Sequence, residues 1–193
     1  MDLGLLLLRI VLATILFMHA TQKGLGWFSG PGPEGAGKLF HNLGQRPGRR
    51  MAMLAVACEG TGSVLVVLGL ATPLGAAILA GTMGVAGAAL TIAKGTVWNA
   101  LGGGEYPLAL AAFAVVLGFA GPGRWSVDAA IGAPWVTHSN ATSALTGVVV
   151  VLLAALAAAP AVRRTRHNLA AADGGAGASS GPAEAPPASS ASA

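Results

Sequence analysis

Seven side chains in this 193-residue chain have the chemistry to work inside an apolar environment: Arg9, His19, Lys23, Glu59, Asn99, Glu105 and Tyr106. A carboxylate accepts protons and hydrogen bonds, an imidazole or phenol can pass a proton on, and an ammonium or amide can hold a ligand oxygen. Arg9 and His19 lie in "LLLLRIVLATILFMHATQKGLGWF", which otherwise reads as a membrane-spanning helix. A charge at the bilayer centre costs ~2.5–3.5 kcal/mol on insertion scales, so ionisable residues in spans either pair with one another or serve a ligand or proton pathway. Both readings stay open here. In the first, Arg9 and Glu59 are structural intramembrane charges that pair, and Glu105 caps its helix or pairs with Lys23. In the second, His19, Lys23, Glu59, Asn99, Glu105 and Tyr106 line a polar pocket that binds a ligand or relays protons.

Other chemistries find no support. The single cysteine, Cys58, excludes an intramolecular disulfide, a CxxC redox pair and a thiolate metal site; it is expected to be a small buried hydrophobe. One histidine within a span cannot supply both axial ligands of a bis-histidine haem, and His41 falls in a loop. The glycines of "GTMGVAGAAL" precede no GK[ST], so they form no phosphate loop. Gly81, Gly84 and Gly87 are expected to let helix backbones approach closely. No metal is expected.

The elements that must position these residues are helices in lipid. The chain is 54% hydrophobic and only 9% charged, with mean hydropathy +0.69, whereas a soluble domain is about 25% charged. The net charge of +4 comes with no basic, aromatic-interleaved patch, so no nucleic-acid partner is expected. Apolar stretches cover residues 3–21, 51–71, 74–93, 107–121 and 142–159. The first three suffice to cross ~30 Å of hydrocarbon, while the fourth is short and borrows Glu105 and Tyr106. The predicted fold is an all-α integral membrane bundle, with four helices in residues 1–130, a loop and fifth span in 131–162, and a basic stop with an unstructured Ala/Ser/Pro tail in 163–193. Residues 1–21 have Asp2 and no lysine before the apolar run, so they read as a retained span rather than a cleaved signal.

Five spans put the first loop, the third loop and the tail on one side. That side carries Lys23, Lys38, Arg46, Arg49, Arg50, Lys94, Arg163, Arg164 and Arg166, and the other carries Arg124. The positive-inside rule makes the cation-rich side cytoplasmic and the N-terminus external. The same parity gathers His19, Lys23, Glu59, Asn99, Glu105 and Tyr106 in one half of the bundle. Arg9 enters from the opposite side, close enough on an extended stem to reach toward Glu59.

The stretches "LLLLRIVLATILFMHATQKGLGWFSGPG", "ACEGTGSVLVVLGLATPLGA", "NALGGGEYPLALAA" and "GPGRWSVDAA" together resemble the DoxX family of bacterial membrane proteins, related to the large subunit of thiosulfate:quinone oxidoreductase. The resemblance implies a four-helix bundle in the bacterial plasma membrane and a place in a redox, thiol/sulfur or oxidative-stress complex. It implies a quinone as candidate ligand and soluble redox or sulfur-metabolism enzymes as candidate partners. The family's recurring polar positions fall on Arg9, His19, Lys23, Glu59, Glu105, Tyr106, Arg124 and Asp128. The chain departs from the family at its fifth span and tail, and from the usual family topology, in which both termini share one side. With no redox metal or dithiol of its own, it is expected to act as an accessory subunit. The competing expectation is a structural, assembly or small-solute-handling membrane protein with no redox role.

Overall fold

The computed structural model describes residues 2–136 and 139–178. These residues are all-helical: α1 (Asp2–Leu25), α2 (Gly32–Asn42), α3 (Gly48–Leu68), α4 (Thr72–Lys94), α5 (Glu105–Ala120), α6 (Val127–Ala130) and α7 (Asn140–Ala178), with single 3-10 turns at Asn99–Leu101 and Pro134–Val136. Four helices (α1, α3, α4 and α7) are long and apolar enough to cross a membrane, and α5 is a shorter apolar helix. At 16 residues, α5 is about 24 Å long.

Helices α1, α3, α4 and α5 close a ring, each packing on the next, with α5 returning to α1. Helix α7 packs on α4 and α5, and α2 on α3 and α1. The core joins Leu12 and Leu16 of α1, Val66 of α3, Leu79 and Met83 of α4, Leu110 and Leu117 of α5, and Ala154 of α7. Small residues bring the backbones close, as their spacing suggested. A Cβ on Gly87 would meet Leu108 of α5, and one on Gly81 would meet the Ala154 backbone of α7. Gly84 faces open space instead.

The α3–α4 hairpin turns on Gly69, whose φ of 62° closes α3 in the left-handed region that favours glycine. The site is crowded too: a Cβ there would lie 2.6 Å from the Arg9 Nη2.

Two sequence expectations need correction. The glycine-rich first loop contains a helix, α2, because "GPEGAGKLFHN" buries its small Ala36 and Gly37. Helix α7 does not stop before Pro160 but carries it internally and runs on to Ala178. Proline removes one amide and crowds the preceding turn, a defect that membrane helices tolerate. At 39 residues, α7 spans about 58 Å, well beyond the hydrocarbon. Its far end is tied to the α2–α3 connection: Gln45 Nε2 donates to Thr165 Oγ1 at 2.6 Å, and Asn168 Nδ2 donates to the Gly44 carbonyl at 2.7 Å. The remainder of the expected tail lies outside the described residues.

Candidate functional site

The polar residues separate into two centres at different depths. The first surrounds Arg9. Its guanidinium donates through Nε to the Val66 carbonyl at 2.8 Å, through Nη1 to those of Pro122 and Trp125 at 2.8 and 2.9 Å, and through Nη2 to that of Val67 at 2.8 Å. Four of the five guanidinium N–H groups are thus engaged by backbone. Val66 and Val67 belong to the last turn of α3, where the helix dipole places partial negative charge. Arg9 is 1% exposed.

The expected Arg9–Glu59 pair is therefore wrong. Arg9, two turns into α1, lies beside the C-terminal end of α3, and the carbonyls there satisfy it locally. Glu59 lies seven residues earlier on α3, about 10 Å away along the axis.

Asp128 completes this first centre. Its carboxylate accepts from the Ala71 and Thr72 amides, both at 2.8 Å, and from Trp135 Nε1 at 2.8 Å. The Asp128 amide donates in turn to the Gly69 carbonyl at 2.8 Å. Asp128 therefore supplies the α4 N-terminus with the acceptor its orphan amides need. Burial alone would push its carboxyl up, but the hydrogen bonds from Thr72, Trp135 and Ala71 outweigh that and hold it below the ordinary carboxylate range. Arg124 stands apart at the surface, where its amide donates to Asp2 at 3.0 Å.

The second centre lies between Lys23 and Glu59, across the α1–α3 contact. Lys23 Nζ pairs with Glu59 Oε1. The Glu59 carboxylate is buried, and its Oε2 has no hydrogen-bond partner. Both residues line a cavity of about 540 Å³, together with His19 and Tyr106. The His19 and Tyr106 rings meet at a centroid separation of 5.9 Å. The other walls are mostly apolar, from Leu39 and Phe40 of α2, Leu54 of α3 and Ile78 of α4. Such a chamber, apolar with a few convergent polar groups at one place, has the anatomy of a small-molecule site.

Of the six candidate ligand or proton groups, the structure gathers four, His19, Lys23, Glu59 and Tyr106, around this cavity. Asn99 and Glu105 are not among its lining residues. They face solvent, where Glu105 Oε2 accepts from the Asn99 amide at 3.0 Å, and Glu105 does not reach Lys23. Cys58 also departs from expectation: it is only half-buried and lines the cavity. Gln45 and the α7 residues Ala157, Ala158 and Ala161 were not foreseen in the wall. Nothing in a glycine-rich loop or an alanine run distinguishes a wall from a lipid face.

Among the described residues no cluster of three or more metal-ligating side chains occurs. Residues 4–92, covering α1 to nearly the end of α4, match the model of one family, DoxX. No curated protein and no solved structure matches the chain.

Proposed function

We propose that this integral membrane protein, whose residues 4–92 match the DoxX family model, is the membrane subunit of a redox-associated complex and holds a quinol-type ligand in the Glu59 cavity. The observation that carries this reading is the half-satisfied carboxylate. A buried acceptor with no donor costs roughly 1–3 kcal/mol, more when charged, and is retained where a ligand or a proton completes it. The chamber suits the reduced, quinol form on chemical grounds: apolar walls for the ring and tail, Lys23 to donate to one ring oxygen, and Glu59 Oε2 to accept from a ring hydroxyl. When bound, such a group supplies two-electron, two-proton chemistry. The chain's own part is to bind and orient it, exclude water, and hold a proton at Glu59 or hand it toward Tyr106 and His19. The cation-rich loops favour a cytoplasmic position for the α2 side and the end of α7 by the positive-inside rule, which in this reading brings them in reach of soluble redox or sulfur-handling enzymes.

Isothermal titration of the purified protein with a short-chain ubiquinol analogue, kept reduced, tests the reading, because only the quinol carries the hydroxyl donor that Glu59 Oε2 lacks. Saturable one-site binding, weakened at least tenfold by Glu59→Gln, is expected. Absence of binding to protein that unfolds cooperatively would overturn it and favour a structural or solute-handling role.

A further inference from the structure

The cavity is longer than a head-group site requires. Along α4 its floor runs from Ala77 through Gly81 and Val85 to Leu90, a stripe on one helix face about 20 Å long. That exceeds the ~15 Å depth of one hydrocarbon leaflet. One wall is a stripe on α3, Met51, Leu54, Ala55 and Cys58, at helical spacing. The other comes from Ala157, Ala158 and Ala161 of α7, a helix outside the DoxX match. Both helices pack on α4. Leu54 is 56% exposed, so this wall faces the lipid. At its polar place the chamber is lined by Glu59, whose buried Oε2 has no hydrogen-bond partner and whose Oε1 pairs with the Lys23 ammonium.

We propose that the cavity opens laterally to the bilayer between α3 and α7, and that it holds a single-chain amphiphile whose tail lies along α4 against α7 and whose head donates a hydroxyl hydrogen to Glu59 Oε2. This inference rests on Glu59 as a ligand group and adds the tail, the route and the contribution of α7. Three features fix the occupant's chemistry. Along the α4 stripe the polar side chain is Thr82, whose hydroxyl hydrogen is already given to the Ile78 carbonyl at 2.8 Å, so the stripe suits a hydrocarbon chain. Small side chains line it on α4 (Gly81, Ala86, Ala89) and on α7 (Ala157, Ala158, Ala161), and its volume of about 540 Å³ suits one chain rather than a helix. The orphan acceptor requires a donor, so a hydroxyl is recognised and its ether is not. Helix α7 thereby sets which tail is accepted.

The test uses the full-length protein in nanodiscs and two probes, a sixteen-carbon primary alcohol with a mid-chain diazirine and the methyl ether of the same alcohol, with labelled peptides mapped by mass spectrometry. The expected result is saturable labelling by the alcohol at 81–90 of α4 and 157–161 of α7, at least fivefold above the ether. Ala158→Phe, which fills the channel, should reduce that labelling at least fivefold with an unchanged melting temperature. Glu59→Gln should narrow the alcohol-over-ether preference, because an amide N–H can serve the ether oxygen. Saturable labelling confined to α1 and α5 would overturn the α7 route while leaving the Glu59 site standing. Labelling that does not saturate and treats alcohol and ether alike would mean a coating of bulk lipid and overturn the proposal. So would probe exclusion accompanied by cross-linked dimers through α3 and α7, which would make a second copy the occupant. The wild-type label map decides these outcomes even if a variant fails to fold.

Discussion

Replacing Arg9 with methionine keeps the length of the stem and removes every donor. Four carbonyls then lose the guanidinium. Val66 keeps a partner, since its carbonyl also accepts from the Gly69 amide at 3.1 Å, and the other three do not gain one by the change. Hydrogen bonds to a charged group contribute about 1.5–3 kcal/mol each. A sum over four would overshoot, because Trp125 is 55% exposed and its carbonyl can be rehydrated, and because bonds to one cation are not additive. Three bonds lost near the lower limit give a destabilisation of ~3–5 kcal/mol. Arg9→Lys should lose about half as much: a point charge with three donors cannot span carbonyls on the α3 end and on the 122–125 loop at once. Equilibrium unfolding in mixed detergent micelles, followed by far-ultraviolet circular dichroism, measures both. A double-mutant cycle separates the two polar centres. Arg9→Met with Glu59→Gln should be additive within about 0.5 kcal/mol, while Arg9→Met with Asp128→Asn should couple by ~1 kcal/mol or more, since both hold the Gly69 hairpin. The reasoning fails if Arg9→Met costs less than ~1 kcal/mol, or if the coupling appears with Glu59 and not with Asp128.

Asp128 has a folded-state carboxyl held below its ordinary range, so its contribution is present at pH above about 4 and is lost as pH falls through the folded value. Asp128→Asn should cost ~1–3 kcal/mol at neutral pH and flatten that acid limb; parallel acid-unfolding curves for the two proteins would contradict the cap. The orientation proposed from the cation distribution predicts that a cysteine at Ser29, in a Cys58→Ala background, resists a membrane-impermeant thiol reagent in intact cells; labelling there would place the α1–α2 connection outside.

The helices were legible because apolar runs long enough to cross a bilayer have few alternative folds. Parity decides which helix ends share a side, so it brought six candidates to one half of the bundle, but it does not decide which of them meet: four line the cavity and Asn99 and Glu105 do not. Partner choice was not legible. Pairing Arg9 with Glu59 assumed that a buried charge needs an opposite charge, whereas backbone carbonyls at the end of α3 serve as well, and their positions depend on where Gly69 turns the chain. Helix α2 was hidden for a related reason: its glycines and Pro33 suppress the propensity signal, and it is held by packing on α3. Pro160 misled in the opposite direction, being read as a stop in a helix whose neighbours and surroundings permit it to continue.

The degree of satisfaction separates the roles of the two buried charges better than burial does. Arg9 and Glu59 are each 1% exposed, yet one has four backbone partners and the other has one oxygen without any. A buried ion with four of its five N–H groups held by backbone has little capacity left for a ligand, and its removal damages the fold. A half-saturated one leaves part of the desolvation cost uncompensated, which the fold alone gives no reason to retain, because Lys23 could be matched by a neutral acceptor at lower cost. That Glu59 lines a cavity, rather than standing in solid packing, is what makes its structural deficit the mark of a candidate binding site. The same criterion sets Asp128 with Arg9: both carboxylate oxygens accept from fixed donors, so its place is in the hairpin and not in the chemistry. Function in this bundle is therefore sought at the Lys23–Glu59 end of the α1–α3 contact, while the Arg9–Asp128 end holds the helices that build the cavity.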